Sequence, residues 1–338
     1  MSLAKTQKTW LVTGAAGFIG SHLVEHLLSL GQRVIGCDNF STGSPGNVEY
    51  VRGAVSADKA ALYTFFEQDI RDKAGIAELI ARHVPDVILH QAALGSVPRS
   101  IADPMASHES NVDGFLNVLD GARRAGVRRF VYASSSSVYG DIAGGSKVES
   151  QIGNQLSPYA ATKRIDEVYA QVFGRVYGIE TVGLRYFNVF GPRQDPNGPY
   201  AAVVPRWLAA MARKEAVVIY GDGSTSRDFC YVANVVQANI LAASVSAPEV
   251  CNGVVNIACG ATTSLLELQA MLRAAVARTL GLDQSEIPAA IHEPFRKGDI
   301  AHSLADISLA KNAMGYSPTH SVQEGIDELV RMELARLS

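Results

Sequence analysis

The first half of the chain alternates short apolar runs with longer stretches whose apolar positions recur every three to four residues. Strands are predicted over Thr9–Thr13, Arg33–Cys37, Phe65–Asp69, Val87–His90, Arg129–Ser134 and Thr181–Arg185. Helical spacing predicts helices over Ile19–Leu30, Lys73–Arg82, Met105–Ala125 and Pro158–Tyr177. The runs VILH and VYAS are continuous rather than alternating, as strands buried on both faces require. The alternation predicts an α/β fold, a doubly wound parallel sheet covered on both faces by helices.

Beyond Arg185 the rhythm breaks. Residues 187–228 are rich in Gly, Pro, Asn and Asp, which predicts loops around a ligand. Val254–Ala258 reads as a strand that returns to the sheet, residues 264–280 as an amphipathic helix, and Val322–Leu337 as a closing helix. The expected division is a first lobe of residues 1–187 plus about 229–260, and a smaller, discontinuous C-terminal lobe of 188–228 and 261–338.

Composition narrows the function classes. Of 338 residues, 47% are hydrophobic and 19% charged, which is ordinary for a globular protein. A formal net charge of -3 without a basic stripe argues against a nucleic-acid partner. No apolar run reaches the length of a membrane span, and the opening MSLAKTQKTW has no apolar core, so a cytoplasmic protein is expected. Cys37, Cys230, Cys251 and Cys259 are scattered and read as free thiols.

Directly after the first predicted strand comes Gly14-Ala15-Ala16-Gly17-Phe18-Ile19-Gly20. Glycines there permit a tight turn and close backbone approach, and the following helix N-terminus faces an anionic pyrophosphate. Asp38 ends the second strand, where a carboxylate can accept from an adenosine ribose and repels a 2′-phosphate, so NAD is expected rather than NADP. Asn39 follows it. Asp69-Ile70 closes the third predicted strand, at adenine level, and Gln91-Ala92-Ala93 follows the fourth with small side chains past which a cofactor can run. These features make the first lobe a Rossmann-type dinucleotide-binding domain.

Ser157-Pro158 is a good helix start, and the helix carries Tyr159 and Lys163 one turn apart on one face. A phenol is a poor base at neutral pH, and a neighbouring ammonium favours its ionised form. One hydroxyl of Ser134-Ser135-Ser136-Ser137 would orient the reacting oxygen toward Tyr159, and the residues alone leave open which. A Y-x-x-x-K pair arises by chance on many helices; its weight comes from the glycine loop, Asp38 and the serine-ended strand together.

From TGAAGFIGSH through SPYAATK and RYFNVFGPRQDPNG to GDGSTSRDFCYV and FRKGDIAHSLAD, the chain resembles the UDP-hexose 4-epimerases of the extended short-chain dehydrogenase/reductase family. It is most similar to the branch acting on UDP-N-acetylglucosamine and UDP-N-acetylgalactosamine. The resemblance implies Ser135, Tyr159 and Lys163 as the catalytic residues, and Tyr159 and Lys163 as cofactor contacts too. It implies a UDP-sugar clamp in which Asn188 contacts the diphosphate side and Ala202, Val203 and Tyr220 line the uracil pocket. Arg227 and Arg296 would neutralise the diphosphate, and Asp299 would meet the uridine ribose. Gly95, Ser96, Ser136, Ser137 and Gln194 would line the hexose pocket, with Ser303 as a small gate that leaves room for an N-acetyl group. It further implies a homodimer, paired through the stripes Val112, Phe115, Leu116, Leu119 and Ile165, Val168, Val172, Val176. No metal is implied.

Related dehydratases carry an Asp-Glu pair before V-Y-G, where this chain has Ser136 and Ser137 without the acid and base that elimination needs. A decarboxylase glutamate is absent from the same place. UDP-glucuronate 4-epimerisation stays open at this level, as does a non-catalytic NAD-binding scaffold, against which the presence of both Tyr159 and Lys163 counts.

Overall fold

The computed structural model describes residues 6–142, 144–197, 201–295 and 302–336. Its centre is a sheet of seven strands: β1 Thr9–Thr13, β2 Arg33–Asp38, β3 Tyr63–Glu67, β4 Val87–His90, β5 Arg129–Ser135, β6 Glu180–Tyr186 and β7 Gly253–Ile257. They lie in the order β7-β6-β5-β4-β1-β2-β3, and every pairing is parallel. The α/β expectation therefore holds. Chain order reverses at β1, between β2 and β4, and the crevice at the carboxyl ends of β1 and β4 is where such sheets take ligands.

Local chemistry explains where the elements begin and end. Ser157 accepts from the Ala160 N–H, Pro158 occupies the first turn, and Gly178 ends the helix Pro158–Tyr177 in the left-handed region at φ 74°. Helix Leu265–Leu280 starts with a reciprocal cap between Ser264 and Glu267. Helices cover both faces of the sheet: Leu23, Val24, Leu27 and Leu28 pack on one side, and Phe115, Val118 and Leu119 on the other, all buried.

A second core gathers Phe190, Trp207, Leu208, Ile219, Leu272 and Ile326 from segments far apart in sequence. Ala305, Ile307, Ala310 and Met314 instead pack against the first core.

Four sequence expectations need correction. The third strand is Tyr63–Glu67, so Asp69 lies in the following loop, turned out to bond Asn39 and Arg71. Met105–Ala125 is interrupted by a π-helical turn at Glu109–Asp113, a wide turn of the kind found at functional sites. The loop-rich region 187–228 contains helix Val203–Ala212, whose Val204, Trp207, Leu208 and Met211 are buried. Of the two stripes assigned to a dimer, Val112, Phe115 and Leu119 are core, whereas Val168, Val172 and Val176 are exposed.

Candidate active site

The loop after β1 is shaped by its glycines. Gly14 has φ +68°, and a Cβ on it would stand 2.8 Å from the Ala92 backbone nitrogen. A side chain at Gly20 would run into the Gly14 carbonyl. Gly17 begins helix Phe18–Ser29 with no side-chain cap, so the first amides of that helix keep their hydrogen-bonding capacity for an anion. Asp38 accepts from the Ala16 N–H at 3.1 Å and the Phe40 N–H at 2.8 Å, tying the glycine loop to the turn after β2. Burial raises the pKa of its carboxyl.

A cleft of about 600 Å³ runs over this loop, lined by Gly14, Gly17, Phe18, Ile19, Gly20, Asp38, Asn39, Ile70, Gln91, Ala92, Ala93, Gly95, Gln194 and Ala202. Those from Gly14 to Ala93 are the residues the sequence predicts for the cofactor; Gly95 and Gln194 are expected in the hexose pocket and Ala202 in the uracil pocket, yet Ala202 lines this cleft and not the one that holds Val203 and Tyr220. Asp69 is not among the lining residues; it is held by Arg71, whose guanidinium lowers its pKa to about 2. Ser41, Thr42, Arg99 and Asp195 line the cleft too, and nothing in the local pattern pointed to them. An elongated dianion with a ribose at one end fits this cradle: a backbone-only floor, helix amides, and a carboxylate at the far strand end.

Under the cleft, Gln91 joins Tyr186 and Asn239 in a closed ring. The Tyr186 hydroxyl donates to Gln91 Oε1 at 3.0 Å, Gln91 Nε2 to Asn239 at 3.1 Å, and Asn239 Nδ2 to the Tyr186 oxygen at 2.8 Å. The π-turn places Asn111 so that its Oδ1 accepts from Leu94 N–H at 2.7 Å and its Nδ2 donates to Thr162 at 3.1 Å. That bond fixes the segment Leu94–Gly95 against helix Pro158–Tyr177. Its result is that a Cβ on Gly95 would lie 4.0 Å from the Tyr159 hydroxyl.

Tyr159 and Lys163 sit in the first two turns of this helix; the Tyr159 N–H donates to Ser100 Oγ at 3.0 Å. Lys163 is buried and donates to Asp166 at 3.1 Å. Among the four serines, Ser134 is committed elsewhere, donating to Glu167 at 2.7 Å, and Glu167 also holds Arg185. Ser135 Oγ accepts from the Ser137 N–H at 3.1 Å and from the Ser137 hydroxyl at 2.9 Å. His90 is buried against Thr13, and burial with the nearby Lys163 lowers its pKa to about 3, so it stays neutral.

A second cleft of about 330 Å³ adjoins the first, with Ala201 on both walls. It brings together Asn188, Val203, Tyr220 and Arg227, and adds Arg206, Trp207, Thr225 and Phe229. Arg206 and Trp207 follow Val203 at the three- and four-residue spacing of a helix, a signal that the surrounding glycines and prolines obscured. Ser303 pairs with Arg227 across neighbouring strands. Arg296 and Asp299 lie outside the described residues. Among the described residues no group of His, Cys, Asp and Glu could hold a metal, and no helix is long and apolar enough to cross a membrane.

Residues 10–258 match the model of the NAD dependent epimerase/dehydratase family. The chain belongs to this family. A UDP-glucose 4-epimerase of Mycolicibacterium smegmatis is 38% identical over 95% of the chain and 96% of its own length. The solved structure of UDP-N-acetylglucosamine 4-epimerase from Methanobrevibacter ruminantium, in complex with UDP-N-acetylmuramic acid, superposes with TM-score 0.86 at 36% identity, covering 98% of this chain and 99% of that one. UDP-glucose 4-epimerase of Thermus thermophilus in complex with NAD gives TM-score 0.81 at 36% identity, over 95% and 97% of the two chains. Both solved structures share this chain's fold over nearly its whole length.

Proposed function

We propose that this protein is an NAD-dependent UDP-hexose 4-epimerase that interconverts UDP-N-acetylglucosamine and UDP-N-acetylgalactosamine. The observation that carries the reading is the adjacency of the two clefts: one fits a dinucleotide and reaches Gly95, next to the Tyr159 hydroxyl, and the other, joined to it at Ala201, offers two arginines and aromatic walls. Held over Gly14, Gly17, Gly20 and Asp38, NAD would supply a reversible hydride acceptor for C4 of the sugar.

Tyr159 takes the proton from the C4 hydroxyl and later gives it back, and Ser135 orients that oxygen. Lys163 supplies the positive charge that favours the phenolate. Arg227, with Arg296, binds the diphosphate, and Asp299 the uridine ribose. Arginine suits this work because its planar fork meets two oxygens at once. Asn188 meets the diphosphate side and Val203 and Tyr220 hold the uracil, so that the hexose alone is free to turn. Ser303, short and beside Arg227, leaves space for an N-acetyl group that a tyrosine would fill. Two copies pair in the cytoplasm through Val168, Val172 and Val176, the exposed stripe of helix Pro158–Tyr177.

Incubation of the purified protein with UDP-N-acetylglucosamine, without added cofactor in excess, tests the reading: UDP-N-acetylgalactosamine is the expected product. Tyr159→Phe is expected to lower turnover by roughly 100- to 10,000-fold while the dinucleotide stays bound. Conversion of UDP-glucuronate alone would replace the substrate assignment, and no conversion of any UDP-sugar would overturn the epimerase reading.

A further inference from the structure

The helix Pro158–Tyr177 carries a third ionisable group on the face of Tyr159 and Lys163. Tyr159 precedes Lys163 by four residues and Asp166 follows it by three, so the three residues share one helical face. Lys163 Nζ donates to Asp166 Oδ2 at 3.1 Å, with the two side chains 2% and 0% exposed. The other oxygen, Oδ1, is buried without a hydrogen-bond partner. A charged pair withdrawn from water this far is costly, and replacement by an apolar pair is often neutral or stabilising, so its presence asks for a role. The chemistry assigned to Tyr159 and Lys163 does not require a carboxylate here.

We propose that Asp166 is a positioning residue for proton transfer at Tyr159: by sharing the Lys163 ammonium it holds that side chain in place and sets the pH at which the Tyr159 phenol ionises. The proposal rests on the reading that Tyr159 and Lys163 form the reacting pair. A cation lowers the pKa of a neighbouring phenol, and a carboxylate paired with the same cation opposes it.

The surroundings leave Asp166 as the group free to modulate this charge. On its own helix it faces Lys163 and Glu167. Glu167 is already neutralised by Arg185 at 2.8 Å and Arg164 at 3.1 Å. From β5 it faces Tyr132, whose hydroxyl burial keeps protonated. From β4, His90 lies near Lys163 and is held neutral. Burial, only partly offset by Lys163, lifts the Asp166 carboxyl to about 7. As pH rises through that value the carboxyl ionises and draws on the ammonium that Tyr159 uses; at lower pH the ammonium acts on the phenol alone.

The test is a titration of phenolate absorbance in the dinucleotide-loaded protein, with Tyr159 isolated by subtracting the same protein carrying Tyr159→Phe. Asp166→Asn is expected to lower the Tyr159 midpoint by about one pH unit, and to move the acid limb of kcat for UDP-hexose conversion down by the same amount. Asp166→Ala, a second neutral replacement should the first fail to fold, is expected to do the same. A midpoint that stays put or rises overturns the proposal, even if stability or turnover falls at every pH, because a purely structural role predicts that pattern. The absorbance decides the role of Asp166 whether or not any UDP-sugar is converted. Absence of conversion by the unaltered protein counts against the epimerase reading instead.

Discussion

The two clefts of this protein are built in different ways. The floor of the first is made of strand ends and backbone: Gly14, Gly17 and Gly20, Ala92 and Ala93, with the Asp38 carboxylate at a fixed distance along the chain. The second is assembled from side chains contributed by residues 188–229 and Leu265, with Ser303 brought beside Arg227 by strand pairing. Backbone geometry tolerates little change, since an added Cβ meets another main chain. A side-chain cleft can exchange one residue at a time, which is how one fold changes its sugar.

That contrast can be broken. The largest effect is expected from Gly14→Val, which places a β-branched residue at φ +68° and against Ala92. NAD affinity should fall by roughly 100-fold or more, with about 1–3 kcal/mol of strain. Binding of UDP to the second cleft, followed by calorimetry, should persist. Loss of both would mean that the clefts are not independently built.

Arg227→Ala should reverse the pattern, weakening UDP binding by about 10- to 100-fold, the scale of charge-assisted hydrogen bonds, with NAD retention unchanged. The same calorimetric titrations report it, and equal losses on both ligands would deny Arg227 its place at the diphosphate.

Ser303→Tyr tests the side-chain cleft as a specificity device. Relative kcat/KM for N-acetylated over plain UDP-hexose should drop by about tenfold or more through excluded volume. An unchanged ratio from paired rate measurements would remove Ser303 from the gate.

The smallest effect is expected at the rim of the first cleft. Arg71 lowers the Asp69 pKa to about 2, below the ordinary 3.8. A depressed carboxylate contributes stability that is present above pH 3.8 and is lost as pH falls through 2. The pair is part-exposed, so Asp69→Asn should cost less than about 1 kcal/mol at pH 7. The deficit seen in urea denaturation should close between pH 4 and 2. A deficit that persists at pH 2 would point to the Asn39 contact rather than to charge.

Legibility follows the same division. Strand identity, the glycine loop, Asp38 and the Tyr159–Lys163 pair were readable because each depends on near neighbours: period, turn geometry and helical spacing. The third strand begins two residues before its apolar pattern predicts: Phe65 and Phe66 draw the pattern forward, whereas pairing with β2 fixes the register at Tyr63. Helix Val203–Ala212 was hidden among turn-forming residues, and only burial of Trp207 in the second core makes it worthwhile. Phe115 and Val172 both lie on apolar helical stripes. Only packing made one core and left the other exposed.

What the sequence determined by itself is the dinucleotide cradle, since its chemistry is written in consecutive residues whose backbone geometry is local. What the tertiary structure decided is everything that depends on burial and on contacts across long separations in the chain: the Gln91–Tyr186–Asn239 ring, the seating of Ser303 beside Arg227, and the enclosure of Lys163 with Asp166. The last began as a tyrosine and a lysine four residues apart. Burial turned the next carboxylate along the helix into the partner of that lysine, because a charge removed from water must find its counter-charge nearby.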